Sequence, residues 1–235
     1  MKRFLILLSI LFCTTVFAHT IEWYVDNTLL STTTCESGDN ITPPTAPDKY
    51  GYHFIRWMKY TPVEYLDINQ GPFIEVNYPF NTGSTFETKL SILGDMSNDN
   101  GLFGNTWNTQ SLLVVFDKNK FRSYFSKGIG LENTKQILKN TPYTLKVGNG
   151  FTIVDGVTVI GTPLNSLSVY KLKIPYSRLS GTFRFFYFKI YDNDVLVRDF
   201  IPILDSNGTP CMYDKVQSEV YYNAGTGNFI AGPAI

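Results

Sequence analysis

Hydrophobic and polar positions alternate most strongly between Phe183 and Asp205, FRFFYFKIYDNDVLVRDFIPILD. Read as a strand, Phe186, Phe188 and Ile190 fall on one face, with Phe185, Tyr187, Lys189 and Tyr191 on the other. Asp192-Asn193-Asp194 then forms a tight polar turn, because Asn and Asp adopt positive φ at small cost, and a second strand returns. A hairpin that is apolar on one face and aromatic on both needs a larger sheet system to cover it. The pattern therefore sets this hairpin in the core of an all-β domain.

The remaining pattern extends that expectation. Phe73–Tyr78, Thr85–Leu93, Ser111–Phe116 and Phe121–Phe125 read as strands. Gly94–Gly104, with three glycines, reads as a polar loop, and Gly128–Asn140 is the one weak helical segment, with few apolar residues. Tyr143–Val147, Phe151–Val154 and Val157–Ile160, separated by Asn149-Gly150 and Asp155-Gly156, form a tight meander. Ser168–Ile174, the central hairpin, Met212–Asp214 and Val220–Tyr222 complete the series. Many short strands with almost no helix predict an antiparallel β-sandwich over residues 72–235.

Ahead of it, Ile21–Val25 and Thr28–Thr34 flank a polar Asp26-Asn27 turn. Pro43, Pro44 and Pro47 enforce an extended segment, since each fixes φ and removes a donor. Tyr52–Trp57 closes a small module over residues 19–68, with Trp23, Phe54 and Trp57 as its core. Asn69-Gln70-Gly71-Pro72 is the predicted hinge.

The first 18 residues read as a signal peptide. Lys2 and Arg3 precede the apolar run Phe4–Cys13, and Val16-Phe17-Ala18 supplies small residues at the −3 and −1 positions of a cleavage site. The run is too short to span a bilayer comfortably, so no membrane insertion is expected after cleavage, and the mature chain begins at His19. Residues preceding Cys13 do not suit a lipoprotein cysteine. The C-terminal NFIAGPAI carries no sorting motif and no hydrophobic tail, leaving periplasm, outer surface and medium open as destinations. Cys35 and Cys211 remain in an exported chain, either bridged or as two buried thiols, and neither has metal-ligand spacing.

Two stretches resemble known families. Gly38–Trp57, GDNITPPTAPDKYGYHFIRW, resembles the internalin B-repeat of bacterial surface proteins through Pro44, Pro47, Gly51, Tyr52, Phe54 and Trp57. Arg56 stands where that family most often has Gly, and one copy is present where tandem copies are usual. Lys189–Val216 with Tyr222–Phe229, and the opening at Phe73–Tyr78 and Thr85–Glu87, resemble laminin-G-like domains of the concanavalin A type. Glu75-Val76-Asn77 replaces the more usual Asp-Thr-Gly. The resemblances imply a β-grasp-like module followed by a jelly-roll sandwich in a cell-surface or extracellular protein that binds glycan or protein.

Composition narrows the chemistry. Twenty basic residues balance twenty acidic ones in 235, without a Lys/Arg run, so no nucleic-acid partner is expected. Glycoside hydrolysis needs two carboxylates flanking the scissile bond, and no Glu-x-Asp-x-x-Glu run is present. Asp192 and Asp194 have turn chemistry as their reason for being there. A nucleophile would need a base, but only His19 and His53 follow the leader and no Gly-x-Ser-x-Gly elbow accompanies them. Gly148-Asn149-Gly150 reads as a hairpin turn rather than a phosphate cradle. No catalytic residues and no obligate cofactor are therefore expected.

Binding chemistry remains. Asn105, Trp107 and Asn108, with Tyr124 on a neighbouring strand, combine an aromatic platform with amides suited to sugar hydroxyls, although loop formation and packing also account for them. Asp95, Asn98 and Asp99, with Asn100, offer oxygen ligands for calcium without the ordered spacing of an EF-hand loop. The expectation is an exported, non-catalytic binding or adhesion protein that recognises glycan or a surface partner. The competing expectation is a structural spacer of the envelope or extracellular matrix, and a glycoside hydrolase stands third.

Overall fold

The computed structural model describes residues 19–25, 28–36, 39–45, 47, 59–69, 71–94, 100–105, 112–126, 129–167, 169–175 and 182–235, none of them helical. The chain divides into two compact units, Met1–Trp57 and Met58–Ile235. In the first, β1 (His19–Val25) pairs antiparallel with β2 (Thr28–Cys35). The Trp23 indole donates to Thr33 Oγ1 at 2.9 Å, fixing the ring across the hairpin. Gly51, Tyr52, Phe54 and Trp57, which carry much of the B-repeat pattern, lie outside the described residues, as do the leader and the Asp26-Asn27 turn.

The second unit starts with β3 (Thr61–Pro62), β4 (Leu66–Asn69), β5 (Ile74–Phe80), β6 (Ser84–Ile92) and β7 (Asn100–Gly104). β8 (Leu113–Asp117), β9 (Lys120–Ser126) and β10 (Ile129–Glu132) form a meander, as do β11 (Pro142–Gly148), β12 (Phe151–Val154) and β13 (Val157–Ile160). β14 (Val169–Ile174), β15 (Thr182–Asp192), β16 (Val195–Leu204), β17 (Pro210–Asp214), β18 (Glu219–Tyr221) and β19 (Ile230–Ala231) complete it. Six strands order as β10-β9-β8-β7-β14-β5; the larger sheet runs β13-β12-β11-β6-β15-β16-β17-β18, with β3, β4 and β19 attached. All pairings are antiparallel, and the chain passes repeatedly between the sheets, as a β-sandwich requires.

One core joins the two sheets. Val76, Phe103, Val114, Phe121 and Leu172 from the smaller sheet meet Phe86, Leu145, Phe188, Ile190 and Phe200 from the larger. Phe103 and Phe188 stand edge to face with centroids 4.9 Å apart, and burial of each such ring is worth about 1.5–3 kcal/mol. Ser123 and Thr152 hydrogen-bond at 2.7 Å across the sheets, so even their buried hydroxyls are satisfied.

Four expectations change. Phe185 is fully buried and Phe186 is half-buried on the outer face, the reverse of simple alternation. The register of β15 against β6 shifts between Phe185 and Tyr187, so Phe186 is an inserted bulge residue and two consecutive side chains leave the core. Gly101–Gly104 is not loop but strand β7, held between β8 and β14 with Leu102 and Phe103 in the core. Within Gly128–Asn140 lies strand β10 rather than a helix; after it the buried Asn133 amide donates to Thr152 and Val157 carbonyls. Residues 61–68, expected in the small module, belong to the large sheet: β4 pairs with β15 and β19, burying Leu66 and Ile68. The boundary therefore falls at 57/58 rather than at 69–72.

Candidate functional site

Asn105, next to the end of β7, is tied to Leu112. Its amide oxygen accepts from the Leu112 backbone N–H at 2.9 Å, and its own N–H donates to the Leu112 carbonyl at 2.9 Å. Tyr124 sits at the same end of the smaller sheet, on β9, opposite Leu113. Its ring lies on Gly130, where a β-carbon would come within 2.5 Å of it. Its hydroxyl accepts from Arg122 Nη1 at 3.2 Å. Trp107 and Asn108 lie outside the described residues, as do the calcium candidates Asp95, Asn98 and Asp99. Among the described residues no group of three or more His, Cys, Asp or Glu is placed to hold a metal ion.

Around Tyr124 the outer face of the smaller sheet is a charge network. Lys120 Nζ meets Glu132 Oε1 at 2.7 Å, and Arg122 bridges Asp117 at 3.1 Å and Glu132. Hydrogen bonds from Lys120 and Arg122 hold the Glu132 carboxyl below its ordinary range. These opposite charges satisfy one another, which suits a sheet surface more than a ligand seat.

The larger sheet presents a different outer face, organised by the bulge in β15. Phe186 and Tyr187 both point outward, and Tyr191 follows four residues on. Tyr65, beside β4, meets Phe186 edge to face at 6.0 Å. The Arg184 guanidinium stacks 3.5 Å from the Tyr65 ring centroid while binding Asp67 bidentately at 2.7 and 2.9 Å. That arrangement locks one end of the aromatic row.

Lysines from three adjacent strands reach the other rings. Lys89 Nζ is 5.1 Å from the Phe186 centroid, Lys146 Nζ 5.4 Å from Tyr191 and Lys189 Nζ 5.3 Å from Tyr187. The Tyr187 hydroxyl donates to Glu87 Oε1 at 3.1 Å; burial and that carboxylate push the Tyr187 hydroxyl up to about 12. Rings with apolar faces, hydroxyls and ammonium groups thus share one face of the larger sheet.

Alternation in the sequence puts Tyr187, Lys189 and Tyr191 on one face of β15, as neighbours within a strand rather than as a site. Lys89 and Lys146 enter through cross-strand register, Lys89 opposite Tyr187 and Lys146 opposite Glu87. Cys35 and Cys211 are buried free thiols. Cys211 packs with Ile203 and Tyr213 under Tyr60, and burial raises its thiol to about 11. No protein-family model matches the chain, and no curated protein matches it either.

Proposed function

We propose that the chain is an exported, non-catalytic binding protein whose sandwich recognises glycan through the outer face of the larger sheet. The observation that carries this reading is the bulge, which turns Phe186 and Tyr187 outward together beside Tyr191 and Tyr65. Aromatic rings half-buried on an open sheet supply flat apolar platforms, and the neighbouring hydroxyls and charges supply directional partners. Export rests on the Lys2-Arg3 start, the Phe4–Cys13 run and the small residues at Val16 and Ala18. The resemblances to an internalin B-repeat and to laminin-G-like domains support the same setting, outside the cytoplasm.

A glycan array probed with His19–Ile235, with and without calcium, tests the reading. Specific signal that disappears in Phe186→Ala and Tyr191→Ala, with unchanged circular dichroism, is the expected result. Loss in Trp107→Ala alone would move the site to the Asn105–Tyr124 end of the smaller sheet. A blank array from folded protein would replace glycan recognition with the spacer role.

A further inference from the structure

The three lysines on the aromatic face have no acid of their own. Among the described residues, no carboxylate oxygen lies within 4 Å of Lys89, Lys146 or Lys189; Lys59, Lys118, Lys139 and Lys173 share that state, but only these three gather over the aromatic row. The acids nearest in register are already engaged. Glu87, the cross-strand neighbour of both Lys146 and Lys189, accepts the Tyr187 hydroxyl. Asp199, opposite Lys189 on β16, meets Lys215 at 3.2 Å. Glu87 keeps its charge while it accepts from a neutral phenol, so the face sets three lysines against this one carboxylate, a local excess of positive charge.

The lysines also differ from Arg184 in how they meet their rings. Arg184 is pressed to 3.5 Å from Tyr65 and bound to Asp67, so it is committed. The ammonium groups stand 5.1–5.4 Å from their centroids, near the outer limit of a cation–π contact, and none of them is held in an ion pair. Lys146 and Lys189 flank β6, so their backbones are roughly 10 Å apart, two strand spacings. Repeated cations at the rims of repeated apolar rings match a polymer of acidic sugars. A pyranose can lay its C–H face on a ring while its carboxylate reaches the ammonium beside it.

Resting on the glycan reading above, the geometry points to an acidic oligosaccharide, with hexuronate carboxylates meeting Lys89, Lys146 and Lys189, as the ligand of this face. The test is calorimetric titration of His19–Ile235 with oligogalacturonate, with neutral galacto-oligosaccharide of equal length and with dextran sulfate, at low and physiological salt. The expected result is binding to oligogalacturonate that weakens at least tenfold in Lys89→Gln/Lys146→Gln/Lys189→Gln and not in Lys139→Gln, with Phe186→Ala weakening it as well. Equal binding of the neutral sugar, unchanged in the lysine variant but lost in Phe186→Ala, overturns the acidic ligand and leaves glycan recognition standing. Equal binding of dextran sulfate that ignores Phe186→Ala reduces the face to ion exchange and overturns the inference. Absence of binding to all three, from folded protein, removes the acidic ligand; if the array is also blank, glycan recognition falls with it.

Discussion

Arg198 and Asp214 form an ion pair inside the sandwich, Nε 3.3 Å from Oδ2, with the Asp214 side chain wholly buried. Neither of those two atoms has a hydrogen-bond partner, so they meet as charges rather than through a directed bond. Asp214 Oδ1 has a second task, accepting the backbone N–H groups of Asp199 and Val216 at 3.0 Å each. Removing the carboxylate therefore strands a guanidinium and two backbone donors. Asp214→Ala is expected to lower unfolding free energy by about 3–5 kcal/mol, the usual cost of breaking one side of a buried pair. The double variant Arg198→Met/Asp214→Asn keeps an oxygen for both N–H groups and leaves no charge, so its loss should be smaller, about 1–3 kcal/mol from the unpaired side-chain amide. Urea titrations of the two variants separate these effects, and equal losses would contradict the assignment.

A second prediction concerns where the large unit begins. β4 pairs with both β15 and β19, and Val63, Leu66 and Ile68 are buried. Losing three such side chains removes about 1.5–3 kcal/mol each, against a total stability of about 5–15 kcal/mol. A fragment spanning 58–235 should unfold in one cooperative transition. One spanning 72–235 should show a much weaker transition or none, by circular dichroism against urea. Equal cooperativity in both would return the boundary to the Asn69–Pro72 hinge.

Periodicity carried most of the fold and failed where a single residue or a glycine broke the rule. The Asn193-Asp194 turn was legible because both residues occupy positive φ, 46° and 63°, which their side chains favour and a β-branched residue would resist. The faces of Phe185 and Phe186 were not, since alternation gives parity along a strand and a bulge resets it without any signal in residue type. Glycines at 101 and 104 disguised β7, although Leu102 and Phe103 between them supplied its apolar content. The short strands β3 and β4, with Pro62 among them, read as part of the small module because their partners, β15 and β16, lie more than a hundred residues away. The candidate face had the same limit: Tyr187, Lys189 and Tyr191 were visible together, but Lys89 and Lys146 join them through register alone.

The cysteines supply a third prediction. Both are buried free thiols, and Cys211 lies beneath Tyr60 and beside Tyr213 with its thiol raised by burial, which suppresses the reactive thiolate. Ellman titration of His19–Ile235 prepared without reductant should therefore find Cys211 unreactive in native protein, with two thiols per chain appearing in denaturant. Zero thiols in denaturant would establish the Cys35–Cys211 bridge instead.

The last prediction follows from hydroxyls that the fold keeps protonated. Burial, then Glu87, pushes Tyr187 up to about 12; burial, then the hydrogen bond to Glu219, does the same for Tyr221. Both have an ordinary value of 10.0. Between those limits the unfolded chain has released protons that the folded chain still holds. Stability must then fall as pH rises through this window, and the contribution is complete below pH 10. Glu87 gives the effect a local handle, because ionised Tyr187 would face that carboxylate at 3.1 Å on the same surface that carries the aromatic row. Tyr187→Phe removes one of these protons, so its urea midpoint should decline less steeply between pH 9.5 and about 11 than that of the parent protein. Parallel declines in both proteins would mean that Tyr187 ionises as freely folded as unfolded, and that the Glu87 contact does not constrain it.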